Sequence, residues 1–280
     1  MICAWNELLA IVPPQMRGEV DRQGRDTLQE LRLRLGKPPE LVAARGSRWL
    51  EESVTKQDLN FVINTASRYS PWAASTAAFG YITAPGGHRV GLCGETAVGD
   101  GKVQAIRAPS SVCIRVARDF PGIAAKAAAL EGNILILGPP GSGKTTLLRD
   151  LVRQLSQCEA VAVVDERGEL FPMTSVGHCF DPGKRTDIIF GCSKAQGLDM
   201  VLRTMGPSCI AVDEITAAED CRSLTEAGWC GVRLLATAHA AGASDLAERT
   251  VYRPLLDSGL FNTLLILNRD KSWYTERMRT

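Results

Sequence analysis

The chain has almost no net charge: 32 lysines and arginines face 31 aspartates and glutamates, leaving +1 over 280 residues. A sequence-blind nucleic-acid binder needs a basic excess to replace the counterions around phosphates, so that class is disfavoured and only a local basic face is left open. Aromatic residues are scarce as well, at 6% of the chain, which does not suit the stacking channel of a single-strand motor. No C-x-x-C pair occurs among the nine cysteines (Cys3, Cys93, Cys113, Cys158, Cys179, Cys192, Cys209, Cys221, Cys230). Odd in number and scattered, they fit reduced thiols of a cytoplasmic protein acting mostly as small buried hydrophobes. The N-terminus lacks the basic, apolar and small-residue succession of an export signal. Apolar runs such as Ile134 to Leu137 and Leu264 to Leu267 fall far short of the ~18 residues of a spanning helix. The expectation is a cytoplasmic chain that does not insert in a bilayer, a property compatible with docking on membrane proteins. The three histidines, His88, His178 and His239, show no zinc spacing, and no Ser-His-Asp or Cys-His arrangement is suggested.

What is present is an ordinary globular composition, 45% hydrophobic and 22% charged, with length for one large domain or two ordinary ones. The texture changes near residue 130. Before it, short patterned segments are separated by Pro13-Pro14, Gly36-Lys-Pro-Pro39 and Pro85-Gly-Gly87, which read as loops and turns. Leu31, Leu33 and Leu35 alternate with Arg32 and Arg34, predicting a strand with one buried face. Thr55-Lys-Gln-Asp58 predicts a capped helix carrying Leu59, Val62, Ile63 and Ala66 inward. Tyr81 to Thr83 and His88 to Cys93 predict a hairpin, and Val112 to Val116 a further strand. Residues 1–120 are therefore expected to form a small α+β domain, 121–131 a linker, and 132–280 a second domain. In that second part, strands at Asn133 to Leu137, Ala160 to Val164, Cys209 to Val212, Leu234 to Thr237 and Thr263 to Leu267 alternate with longer polar-apolar stretches. This is the pattern of an α/β fold with a mainly parallel sheet covered by helices.

Gly138-Pro139-Pro140-Gly141-Ser142-Gly143-Lys144-Thr145 matches the phosphate-binding (Walker A) pattern G-x-x-x-x-G-K-[ST] in full, directly after one strand and before a helix from Lys144 to Leu155. The glycines let the loop wrap so that its backbone N–H groups face phosphates, and the helix presents its positive end to them. Lys144 can reach the β- and γ-phosphates of ATP, Thr145 can ligate Mg²⁺, and Thr146 is placed for the α-phosphate. Cys209-Ile-Ala-Val-Asp213-Glu214 adds acids at a strand tip on a neighbouring strand: Asp213 for Mg²⁺ through its water shell, Glu214 to orient or deprotonate the attacking water. Asp165-Glu166-Arg167 ends a second apolar strand, and which of Glu214 and Glu166 is the principal base stays open. Thr237 and His239 end another strand, where a γ-phosphate could be sensed.

These boxes occur in the order seen in the secretion ATPases of type II and type IV systems, a RecA/AAA-like P-loop group, which the chain resembles. More closely it resembles the stage III sporulation protein AA family. The resemblance covers nearly the whole chain and is carried by Glu30-Leu-Arg-Leu-Arg34, Gly80-Tyr-Ile-Thr-Ala-Pro-Gly-Gly-His-Arg-Val-Gly91, Ile114-Arg-Val-Ala-Arg118, Gly143-Lys-Thr-Thr-Leu-Leu-Arg-Asp150, Val164-Asp-Glu-Arg167, Arg185-Thr-Asp187 and Thr237-Ala-His239. It implies a Mg²⁺-dependent ATPase working as a homo-hexamer on the mother-cell side of a channel between mother cell and forespore, peripheral to the membrane through membrane-protein partners. It also implies that Arg89 and Arg115, with Arg118 behind them, steady charge on the transferring phosphoryl, and that Arg167 and Arg185 are second-rank candidates for a contact across a subunit boundary. The plain alternative for these arginines is a solvated strand face. One departure is Gly168, where the family's acidic box carries serine. Two other readings of the whole chain stay open: a nucleic-acid-dependent RecA-like ATPase, and an ATP-gated scaffold that does not hydrolyse.

Overall fold

A computed structural model of the protein describes residues 1–67, 80–99, 102–174, 177–261 and 263–277. Its contacts divide the chain into two compact units, Met1–Asp119 with Pro172–Phe180, and Phe120–Phe171 with Asp181–Thr280.

The first unit holds helices α1 (Trp5–Ile11), α2 (Arg17–Gln23) and α3 (Lys56–Ser67) and an antiparallel six-stranded sheet. Its strands are β1 (Leu28–Arg34), β2 (Glu40–Ala43), β3 (Gly46–Trp49), β4 (Tyr81–Thr83), β5 (Arg89–Gly99) and β6 (Lys102–Arg115), in the order β3-β2-β1-β6-β5-β4. The alternation in β1 follows the pleat as far as Arg34: Leu31 and Leu33 are buried, while on the other face Arg32 and Arg34 pair with Glu30 and Glu40 at 2.7 and 2.8 Å; Leu35, expected on the buried face, lies past the end of the strand and is exposed. Helix α3 starts in a reciprocal cap, with Asp58 N–H donating to Thr55 Oγ1 at 3.2 Å and Thr55 N–H to Asp58 Oδ2 at 2.8 Å. Leu59, Val62 and Ala66 then join Leu8, Ile11, Leu31, Val90 and Ile114 in one core. A short pair, β9 (Met173–Thr174) and β10 (Gly177–His178), also belongs to this unit although it lies within the second domain's span of sequence.

The second unit is built on a seven-stranded sheet: β7 (Ile134–Leu137), β8 (Val161–Asp165), β11 (Thr186–Phe190), β12 (Cys209–Ile215), β13 (Arg233–Ala238), β14 (Thr263–Leu267) and β15 (Trp273–Arg277), in the order β11-β8-β12-β13-β7-β14-β15. All neighbours are parallel except β15, which runs against β14. Strands β7 and β8 are buried along their whole length, as both faces of a helix-covered sheet require. Helices α4 (Lys144–Leu155), α5 (Lys194–Thr204), α6 (Ala218–Trp229), α7 (Ala243–Glu248) and α8 (Arg253–Asp257) complete the unit. In α4, Leu147, Leu148, Leu151, Val152 and Leu155 repeat at helical spacing and are all buried. Residues 121–131, expected as a linker, are counted in this unit and form turns that include a 3₁₀ turn at Ala127–Ala129. They are tied to α4 by Asp150, whose carboxylate accepts from the N–H groups of Gly122 and Ala124 at 3.1 and 2.7 Å.

Register places Leu137 beside Ala238, Ala238 beside Ile215, and Val212 beside Val164, so β7, β13, β12 and β8 all end at one edge. Gly138, His239, Asp213 and Asp165 are thereby collected from four separate stretches of sequence. The strand carrying Asp213 is not next to β7: β13 lies between them. Among the described residues no helix is long and apolar enough to cross a membrane.

Candidate nucleotide site

The loop from Gly138 to Gly143 leaves β7 and enters α4 through glycines in left-handed backbone, Gly141 at φ 74° and Gly143 at φ 100°. Gly138 permits a close approach: a Cβ there would lie 2.6 Å from Ser142 Oγ and 2.8 Å from the Leu267 carbonyl. Lys144, the first residue of α4, is buried, and its ammonium donates to the carbonyls of Gly138 at 2.9 Å and Pro139 at 3.2 Å and to His239 Nδ1 at 3.1 Å. Burial pulls its pKa down, while the charges of Asp213 and Glu214 push the other way. A lysine ammonium has only hydrogens to offer, so Nδ1 of His239 is the acceptor and Nε2 carries the proton, which it donates to Glu214 Oε1 at 3.0 Å. The other Glu214 oxygen accepts from Arg167 Nη1 at 3.3 Å.

Successive strand residues point to opposite faces, yet Asp213 and Glu214 both serve this site. The β12–β13 register shifts between Val212 and Ile215, and Glu214 sits at φ 56°, a left-handed conformation that a non-glycine residue adopts at a cost of ~1 kcal/mol or more. Thr237 holds this bend: its hydroxyl donates to Asp213 Oδ1 at 2.5 Å and accepts the Glu214 N–H at 2.8 Å. The expected γ-phosphate sensor is thus a fully buried brace between two acidic residues. Asp213 Oδ2 takes the hydroxyl of Thr145 at 2.8 Å, which joins the phosphate loop to β12 across β13.

The second acidic pair divides its work. Asp165 is buried and accepts backbone N–H bonds from Glu169, Leu170 and Phe171 at 2.9 to 3.0 Å, so it anchors the turn that follows β8. Burial, less the pull of those donors, pushes its carboxyl up to about 6. Glu166 projects from that turn onto Lys194, a buried lysine at the start of α5 that lies 3.8 Å from Asp220 as well. A cation in a helix's first turn opposes the helix dipole, and these carboxylates offset it. Glu166, Arg167, Lys194, Asp213 and Glu214 line a cavity of about 20 Å³, room for a single water.

Sequence reasoning did not find Lys194 or Lys271. Lys194 follows Ser193, whose capping box with Gln196 marks a helix start and nothing more. Lys271 lies in the turn after β14 and donates to the Gly141 carbonyl. Of the arginines singled out, Arg185 precedes β11 at the opposite end of the sheet from this chain's own Gly138, bonded to the Cys158 carbonyl at 2.7 Å. Arg89 and Arg115 face each other across β5 and β6 in the first unit. There the Arg89 guanidinium lies 4.0 Å from the Tyr81 ring centre and Arg115 pairs with Glu30 at 3.1 Å. Arg118 is a structural tie to the carbonyls of Arg25 and Leu28. His88, beside Arg89, is fully buried; its Nδ1 accepts the Ala117 N–H at 3.0 Å, so its Nε2 donates to the Ala4 carbonyl at 2.8 Å, and burial lowers its pKa. It serves structure.

The residues present suit a magnesium-bound polyphosphate. Ser142 Oγ is buried in the loop and has no hydrogen-bond partner among the described residues, an orphan that a phosphate oxygen would satisfy. Thr145 and Asp213 supply hard oxygen ligands already in contact with each other. Among the described residues no three His, Cys, Asp or Glu converge as a metal cage, so a cation here would share its shell with phosphate and water.

Known proteins agree with this architecture. The chain is 34% identical over 281 residues to stage III sporulation protein AA of Bacillus subtilis (strain 168), an alignment covering 95% of this chain and 92% of that one. Its fold is similar to that of the pilus retraction motor PilT with bound ADP (TM-score 0.60, 13% identity, 94% of this chain and 83% of that one). It is also similar to the Legionella pneumophila ATPase DotB (TM-score 0.57, 16% identity, 95% and 80%). The α/β fold with a mainly parallel sheet is therefore shared with PilT and DotB. The family model described as "Sporulation stage III, protein AA" matches residues 6–276, and with the Bacillus relative it establishes that this chain belongs to the sporulation stage III protein AA family.

Proposed function

We propose that this protein is a Mg²⁺-dependent ATPase that powers or gates the channel between mother cell and forespore. The observation that carries the reading is the closed circuit from the loop lysine through His239 to Glu214, with Asp213 held between Thr145 and Thr237. The loop N–H groups, Lys144, Thr145 and Thr146 bind the triphosphate, and Thr145 and Asp213 hold the metal. Bound there, Mg²⁺ would neutralise charge building on the phosphate oxygens. Glu214 takes the proton of the attacking water. Glu166, restrained by Lys194, orients that water from the other side of the small cavity. His239 couples occupancy at Lys144 to the position of Glu214: when phosphate draws Lys144 from Nδ1, the imidazole loses one of its two restraints.

Arg89 and Arg115 steady charge on the transferring phosphoryl in an assembled hexamer, exchanging their present partners Tyr81 and Glu30 for phosphate oxygens. The protein docks on membrane proteins of the sporulation apparatus and stays outside the bilayer.

The test measures oligomeric mass and ATP turnover together, with and without Mg·ATP. A ring that hydrolyses ATP supports the reading. A monomer turning over at the same rate removes the hexamer, and absence of turnover in the assembled protein favours a scaffold.

A further inference from the structure

Lys271 has an unusual backbone for its residue type. Its φ is 72°, and among the described residues only Glu214 is another non-glycine residue at positive φ. The turn that imposes this is well tied. Asn268 N–H donates to the Ser272 carbonyl at 2.9 Å and Lys271 N–H to the Asn268 carbonyl at 3.2 Å, while Asp270 Oδ1 accepts from the Ser272 N–H and hydroxyl at 2.9 and 2.6 Å. Glycine or asparagine would occupy such a position with less strain, so lysine there calls for a gain through its side chain. That side chain reaches the phosphate loop and donates from Nζ to the carbonyl of Gly141. The strand before it abuts the same loop: a Cβ on Gly143 would lie 3.8 Å from Leu267 Cδ2 and 3.9 Å from Lys271 Cδ.

We propose that Lys271 is a positioning residue of the nucleotide site, which sets the crown of the phosphate loop for a nucleoside di- or triphosphate; this rests on reading that loop as a nucleotide site. The Gly141 carbonyl and the Ser142 N–H belong to one rigid peptide plane and point in opposite directions. An ammonium on the carbonyl therefore fixes where the N–H is aimed. In this structure that N–H makes a long bond, 3.2 Å, to the Pro139 carbonyl, which a phosphate oxygen can replace. By drawing electron density toward the carbonyl, the ammonium also makes that N–H a stronger donor. Both effects concern phosphates already present in ADP, so they act on binding of substrate and product alike and not on the transferred group.

Lys271→Asn and Lys271→Gly remove the ammonium while fitting the left-handed backbone. The ligand-free variants should melt no lower than the parent protein. Calorimetric titration should show affinity for ADP and for ATP each reduced roughly tenfold, the value of one charge-assisted hydrogen bond. In turnover, KM for ATP should rise by a similar factor with kcat little changed, the signature of lost uniform binding. Lys271→Arg, which keeps a cation and donors, should retain most of the affinity. Parent-like affinity in both the Asn and Gly variants overturns the proposal, as does affinity lost only in step with melting temperature. If the unaltered protein binds neither nucleotide, the nucleotide reading itself fails; if it binds both and the variants match it, only the role of Lys271 does.

Discussion

Lys144 and Glu214 are linked through one imidazole, with His239 accepting from the lysine at Nδ1 and donating to the glutamate from Nε2. The link is directional. Glutamine in place of His239 can accept or donate but cannot span both partners with the same rigid geometry. His239→Gln is therefore expected to leave nucleotide binding near normal and lower kcat about 100-fold, at the low end of general acid–base effects. Single-turnover kinetics would check this; parent-like kcat would reduce His239 to packing.

Glu214→Gln keeps the side chain's shape and removes the base. The expected result is a protein that binds ATP and holds it unhydrolysed, with turnover down by at least 100-fold. Undiminished turnover would move the role to Glu166, whose carboxylate lines the same cavity.

Gly138→Ala addresses the loop without touching any charged group. The added methyl would meet the Leu267 carbonyl at 2.8 Å, a backbone atom that cannot swing aside. Overpacking of this kind costs about 1–3 kcal/mol, and it should appear as a lower melting temperature together with loss of ATP and ADP binding.

The Asp165 carboxyl is held up to about 6 by burial, against 3.8 in its ordinary state. A raised folded-state value means the native protein keeps a proton that the unfolded chain releases, so this stabilisation is complete below about pH 4 and is lost as the pH climbs through about 6. Its full size is roughly 3 kcal/mol. Asp165→Asn does not titrate. Whatever its constant offset, its stability in urea unfolding should gain on the parent protein between pH 4 and pH 7, and a gap that does not change with pH would show that Asp165 is not proton-linked.

Arg89→Ala and Arg115→Ala should retain nucleotide binding while hydrolysis by the assembled protein falls at least tenfold, a modest loss for a group that steadies phosphoryl charge. Normal turnover in both variants would leave these arginines as strand residues engaged with Tyr81 and Glu30.

Much of this site was legible because its chemistry demands contiguous residues. The phosphate loop needs its glycines, lysine and threonine in one unbroken run between a strand and a helix, and α4 indeed spans Lys144–Leu155. The ends of β8, β12 and β13 were legible as apolar runs closing on acids or histidine. Strand order was not, because nothing in Cys209 to Glu214 records that β13 intervenes between it and the loop. Nor could periodicity distinguish Asp165 from Glu166: one turns back to cap its own turn and the other pairs with a lysine 28 residues later. The contact from Lys271 to Gly141 spans 130 residues and leaves no local trace. In the first unit, the separate segments seen around Cys93 and Val112 are parts of two long paired strands, whose outer halves leave the apolar Val98 and Val103 exposed and so break the inward-outward pattern.

The position of β7 has a consequence for how the protein is made. Both of its neighbours, β13 and β14, are translated long after it, and so is the turn whose lysine reaches Gly141. The loop between Gly138 and Gly143 can therefore gain both strand neighbours of β7 only after β14 has been made.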